Sequence, residues 1–160
     1  MTAYARVCVE VLMLLADPDS QWSYRRICVE PGPGMSPDEA ARRAGGVRPD
    51  AAAYVVHSTS WRYLPTGTIV LTYAVCPDPQ PQARRVTLAS FDLARGSTPA
   101  APTPENIEID NVVAHAIGHL AFLMSTDPVV RQALRQWPAI AMALESRAPL
   151  AAGELDGVDA

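Results

Sequence analysis

At 160 residues, 49% of them apolar, the chain can bury one ordinary core, so a single domain over residues 1–148 is expected. A net charge of -4 argues against the clustered positive surface that nucleic-acid binding needs, so no nucleic acid is expected as a partner. All 13 basic residues are arginine, which removes Schiff-base chemistry, pyridoxal-phosphate anchoring and the phosphate-gripping lysine of a P-loop.

Three cysteines, Cys8, Cys28 and Cys76, lie far apart without a CxxC pair. Such sparse thiols in predicted strands pack as small hydrophobes and fit a reducing compartment. Val7 to Leu15 is apolar but is interrupted by Glu10, lacks a small-residue cleavage site and is too short to span a bilayer. The expectation is a soluble, cytoplasmic protein with no membrane partner.

In chain order, Tyr4 to Leu15 and Gln21 to Glu30 read as a hairpin closed by the turn Asp17-Pro18-Asp19-Ser20. Val7, Val9 and Val11 alternate with Arg6, Cys8 and Glu10, so one face is drier than the other. Pro31-Gly32-Pro33-Gly34 stops the sheet. Ser36-Pro37-Asp38-Glu39 then starts a short helix, with Ser as N-cap, Pro at the first position and acids in the first turn. Arg42 and Arg43 suit its C-terminal end, and Gly45-Gly46 ends it. Tyr54 to Val75 is rich in Val, Thr, Tyr and Trp and turns at Leu64-Pro65-Thr66-Gly67, which predicts a second hairpin. Prolines 77, 79 and 81 make Cys76 to Gln82 an extended loop. A further strand is expected over Arg84 to Asp92 and a linker over Gly96 to Pro104. Ile107 to Met124 has helical periodicity. Asp127-Pro128 caps another helix running to about Trp137, where Pro138 breaks or kinks it before Ala139 to Ser146. The tail, 149–160, has little to bury and is expected to fray. The predicted class is α+β: a mostly antiparallel sheet of two hairpins plus a further strand, a short helix after the first hairpin, and two C-terminal helices packed on the sheet.

Chemistry concentrates on the central hairpin and the long helix. His115 and His119 are i,i+4 neighbours that fall off the apolar stripe of Val113, Ala116, Ile117, Leu120 and Met124. The pair reads His-Ala-Ile-Gly-His, without the Glu of a zincin helix, so neither a metal nor a cofactor is expected. No GxSxG elbow accompanies Ser58 and Ser60, and in a regular strand neither faces His57. In such a strand His57, Thr59 and Trp61 share one face and Tyr54, Val56, Ser58 and Ser60 the other. The candidate cleft is therefore His57, Thr59 and Trp61, with Val70 or Thr72 across the ladder, covered by the helix that carries His115 and His119. Arg62 and Tyr73 are further candidate ligand contacts, since an arginine fork matches carboxylate or phosphate and aromatic rings stack.

The stretch Gly34-Met35-Ser36-Pro37-Asp38-Glu39-Ala40-Ala41-Arg42-Arg43 resembles the opening of the Nudix box, a Gly-rich turn entering a helix. The order of hairpin, short helix, antiparallel strands and C-terminal helix also suits that fold. The resemblance implies a scaffold whose members cleave nucleoside diphosphates linked to another group, with magnesium held by glutamates. Here Met35 replaces the first of those glutamates, and Arg43-Ala44-Gly45-Gly46-Val47 lacks the acidic run. The scaffold is implied without the magnesium chemistry.

Three readings follow: a non-hydrolytic Nudix-like domain that binds a small phosphorylated or aromatic ligand between the central hairpin and the long helix, a His-dependent or metal-dependent enzyme using His57, His115 and His119, and a module whose helix Val129 to Leu144 docks a partner, a second copy included. The first predicts no magnesium-dependent hydrolysis of nucleoside diphosphate derivatives. Turnover that rises with magnesium and vanishes in Asp38→Ala or Glu39→Ala would count against it.

Overall fold

The computed structural model describes residues 6–88 and 109–146. Asp17 closes the first turn: its Oδ1 accepts from the backbone N–H groups of Asp19 and Gln21, both at 2.9 Å. This turn joins strands β1 (Arg6–Ala16) and β2 (Trp22–Val29) as an antiparallel pair. Helix α1 (Pro37–Gly45) follows, with Ser36 Oγ accepting from Glu39 N–H and Gly46 in the left-handed region at φ 78°. The second hairpin is β3 (Val55–Tyr63) with β4 (Thr68–Cys76), turned at Gly67 (φ 90°). Strand β5 (Val86–Thr87) is short, and helices α2 (Ile109–Thr126), α3 (Pro128–Leu134) and α4 (Pro138–Glu145) complete the described chain.

The five strands form one sheet in the order β3-β4-β1-β2-β5. Both hairpins are antiparallel, but they join through parallel pairing of β1 with β4, Glu10 opposite Thr72 and Leu12 opposite Ala74. Helices cover both faces. On one side α1 packs on Val9, Val11, Met13, Tyr73 and Val75. Its approach is close, since a Cβ on Gly45 would lie 3.0 Å from a Val75 methyl. On the other side α2, α3 and α4 pack on Leu12, Leu14, Trp22, Ala74 and Cys76. None of the described helices is long and apolar enough to cross a membrane.

Pro138 divides the expected second C-terminal helix in two. It sits at the start of α4, where its missing N–H costs no hydrogen bond. In the connection, Trp137 Nε1 donates to the Ala53 carbonyl at 2.7 Å and anchors the helices beside the α1–β3 loop. The expected strand over Arg84 to Asp92 is seen only as β5; residues 89–92 lie outside the described residues, as do the linker 96–104, the start of the long helix at 107–108 and the tail 149–160.

A charge network holds the α2 side of the sheet. Glu10, fully buried, receives hydrogen bonds from Arg62 at 2.8 and 3.0 Å, Thr72 at 2.7 Å and Arg26 at 2.6 Å. Burial alone would raise its pKa. The hydrogen bonds from Arg62, Thr72 and Arg26 outweigh it and hold the carboxyl at about 2, below its ordinary 4.5. Asp78 makes a second such cluster. Arg25 donates to both its oxygens at 2.7 and 3.0 Å, and Arg85 donates to the same carboxylate. Burial opposes the charge here too, and the hydrogen bonds from Arg25 prevail, so the pKa is lowered.

Because the folded Glu10 pKa lies below its unfolded value, its contribution is complete above about pH 4.5 and is lost as pH falls towards about 2. Acid titration of stability should show that loss in the parent protein, and Glu10→Gln should flatten it. Glu10→Ala is expected to cost about 3–5 kcal/mol in denaturant unfolding, because it strands the Arg62 guanidinium. Adding Arg62→Met should recover much of that cost; no recovery would mean that the pair is not what the strands depend on.

Candidate functional site

Strand β3 is not regular. Ser58 pairs with Tyr73 and Ser60 with Thr72, which leaves Thr59 as the extra residue of a β-bulge. Side-chain alternation therefore changes phase at Thr59. His57 lies opposite Ala74, Ser60 opposite Thr72 and Arg62 opposite Val70, all on the α2 side. Trp61, opposite Leu71, turns to the α1 side. The expectation that Trp61 shares the His57 face is corrected: the bulge moves it across the sheet, where its side chain stands 68% exposed. The grouping of Ser58 with Ser60 fails for the same reason.

Four of the candidate residues meet in two pairs. The rings of His57 and His119 lie 5.5 Å apart at their centroids, and His119 stacks on Phe122 at 6.1 Å. His115 Nε2 donates to the Thr59 carbonyl at 3.2 Å, which ties α2 to the backbone that the bulge exposes. Thr59 itself is buried, with its hydroxyl donating to the Thr72 carbonyl at 3.4 Å. His57 Nδ1 bonds the Ser58 carbonyl at 2.9 Å, which leaves Nε2 as its outward nitrogen.

The other candidates stand apart. Arg62 is on the His57 face, but its guanidinium is committed to Glu10 and Thr72. Tyr73 is buried on the α1 side, donating to Asp38 Oδ1 at 2.7 Å. Burial and this bond push its pKa up to about 12. Glu39, the other acid at the start of α1, pairs with Arg43 at 2.9 Å. Among the described residues no three His, Cys, Asp or Glu side chains are grouped as metal ligands.

Beside the histidines a groove of about 390 Å³ opens between the α1–β3 loop and the start of α3, lined among others by Arg42, Asp50, Tyr54, His57, Asp127 and Val130. Arg42 reaches it from the last turn of α1, and Asp127 from the N-cap of α3, where its carboxylate accepts from Val129 N–H at 2.9 Å. No carboxylate among the described residues pairs with Arg42. Sequence reasoning missed this arginine because it was read only as complementing the helix end. It also missed the burial of Glu10, although an acid inside a valine-rich strand was a visible signal. Comparison with family models, curated proteins and solved structures gives no match for the chain.

Burial lowers the His119 pKa below its ordinary 6.5, and the charges of His57 and then His115 lower it further. A lowered histidine pKa makes the fold lose stability as pH falls through about 6.5, since the unfolded chain takes up the proton first. Proton-detected NMR titration should find His119 shifted below 6.5 and rising in His57→Gln. A His119 pKa unchanged by that substitution would show that the two rings are not coupled.

Proposed function

We propose that the protein is a small-ligand-binding domain on a Nudix-like scaffold, and that it takes an anionic, phosphorylated ligand in the groove between the α1–β3 loop and α3. The reading is carried by Arg42, a guanidinium without a carboxylate partner among the described residues, set in a groove with the His57 ring. An arginine fork matches phosphate geometry, and the imidazole supplies a second polar group. The groove has the volume of small-molecule sites, and Tyr54 and Val130 offer apolar surface for the rest of the ligand. The scaffold part of the reading rests on the resemblance at Gly34 to Arg43, the stretch in which Ser36 caps α1. The acids of that helix serve Tyr73 and Arg43 and are not gathered for magnesium.

The histidine cluster favours a second reading. His57 and His119, adjacent and with the His119 pKa lowered, could move a proton on a bound ligand, which would make the domain an acid–base enzyme.

A nucleoside monophosphate carries both a phosphate and a ring and is a suitable probe. In NMR titration it should perturb residues 49–57 and 127–133, and Arg42→Ala should weaken it about tenfold or more, since a charge-assisted hydrogen bond contributes about 1.5–3 kcal/mol. Saturation should raise thermal stability in line with affinity. Perturbation confined to other surfaces, or equal affinity in Arg42→Ala, would overturn the reading. Chemical change of the probe that is lost in His57→Gln or His119→Gln would favour the enzyme.

A further inference from the structure

Cys8 and Cys28 are twenty residues apart in sequence and neighbours in the sheet. Cys28 pairs with Glu10, and Cys8 precedes Glu10 by two residues, so both side chains point to the α2 side of adjacent strands. The β1–β2 ladder ends at the pair of Val9 with Val29, one residue past Cys8. Diagonal neighbours on antiparallel strands lie about 7–8 Å apart at Cα, slightly beyond the roughly 4.4–6.8 Å of a disulfide. Past that rung β1 leaves β2 but stays paired with β4, Cys8 opposite Val70, so rotation of the two side chains, which lie in hydrogen-bonding reach of each other, with a small shift of the strand ends closes that difference. The thiols differ in access: Cys28 is exposed and Cys8 half-buried, while Cys76 is fully buried.

We infer that Cys8 and Cys28 form a redox-active dithiol that closes to an intramolecular disulfide when a peroxide reaches this end of the sheet. Cys28 is the attacking thiol and Cys8 the resolving one. Cys28 attacks because it is the exposed thiol and Cys8 is half-buried; Arg26, two residues before Cys28 on the same face, is a neighbouring cation whose guanidinium donates to Glu10 at 2.6 Å. Burial and then the Cys28 thiol push the Cys8 pKa up to about 11, which suits a group that waits as the thiol. In the first step the Cys28 thiolate attacks one peroxide oxygen, an S–O bond forms, the O–O bond breaks, and the departing hydroxide takes a proton as water. In the second, Cys8 loses its proton and attacks Cys28 Sγ; the S–S bond forms, the S–O bond breaks, and water leaves. Two thiols and one hydrogen peroxide give one disulfide and two waters.

The test treats the reduced full chain with hydrogen peroxide, blocks remaining thiols with an alkylating agent and digests it without reductant for mass spectrometry. The expected product is a cross-link between the Cys8 and Cys28 peptides, lighter by two hydrogens, lost on dithiothreitol treatment, with Cys76 recovered alkylated after unfolding. Cys28→Ser should abolish it. Cys8→Ser should leave Cys28 as a sulfenic acid that dimedone traps in greater yield than in the parent. The inference is overturned if the parent Cys28 goes to sulfinic acid while Cys8 stays alkylatable, or if the only disulfides formed join two chains.

Discussion

The Glu10 carboxylate is the constraint around which the sheet is arranged. A charge without solvent exposure is tolerated only when its lone pairs are filled, and Glu10 fills them from three other strands: Arg26 of β2, Arg62 of β3 and Thr72 of β4. Thr72 is level with Glu10 because β1 and β4 run parallel in that register. Arg62 can join only if it faces the same side as Thr72, and in an unbulged strand starting at His57 it would face away. The bulge at Thr59 supplies the half-turn. The same irregularity sends Trp61 to the other face and turns the Thr59 carbonyl towards His115. The ion pair, the bulge and the docking of α2 are thus one structural decision.

Asp78 repeats the arrangement at the other end of the sheet. It joins Arg25 of β2 to Arg85, whose guanidinium also donates to the carbonyls of Met13 at 2.8 Å and Ser23 at 3.0 Å. The loop after β4 is thereby tied across the ends of β1 and β2. A lysine ammonium could neutralise either acid but could not present two parallel N–H groups to one carboxylate while also reaching a backbone carbonyl. The exclusive use of arginine therefore has a consequence in the fold, whatever its origin in the genome.

The candidate sites lie at the margins of this frame. The groove with Arg42 and the three histidines gather at the edge strand β3, where α2, α3 and the α1–β3 loop converge. The two accessible thiols lie where the β1–β2 ladder ends. The first borders the open side of an edge strand, and the second lies beside the last rung between β1 and β2. The apolar helices α3 and α4, read from sequence as a docking element, spend most of their apolar surface in the domain's own core and leave Val129 and Met142 exposed.

The features legible in the amino-acid order alone are local. Asp17-Pro18-Asp19 made the first turn, Ser36-Pro37 and Gly46 bounded α1, Leu64 to Gly67 made the second turn, and Asp127-Pro128 began α3; in each case the deciding hydrogen bond or φ lies within four residues of its cause. The α+β class and the meeting of His57 with α2 were legible from hydrophobic period, since a stripe of small and aliphatic residues has to cover a sheet. Long-range contacts set the parallel join of the two hairpins, the side to which each half of β3 points, and the partners of Glu10, Asp78 and Tyr73. Period-two reasoning assumes an unbroken strand, and the residue that breaks it, Thr59, carries no mark of its own. Its place is set by a carboxylate on a strand that is 49 residues away in sequence and two strands away in the sheet.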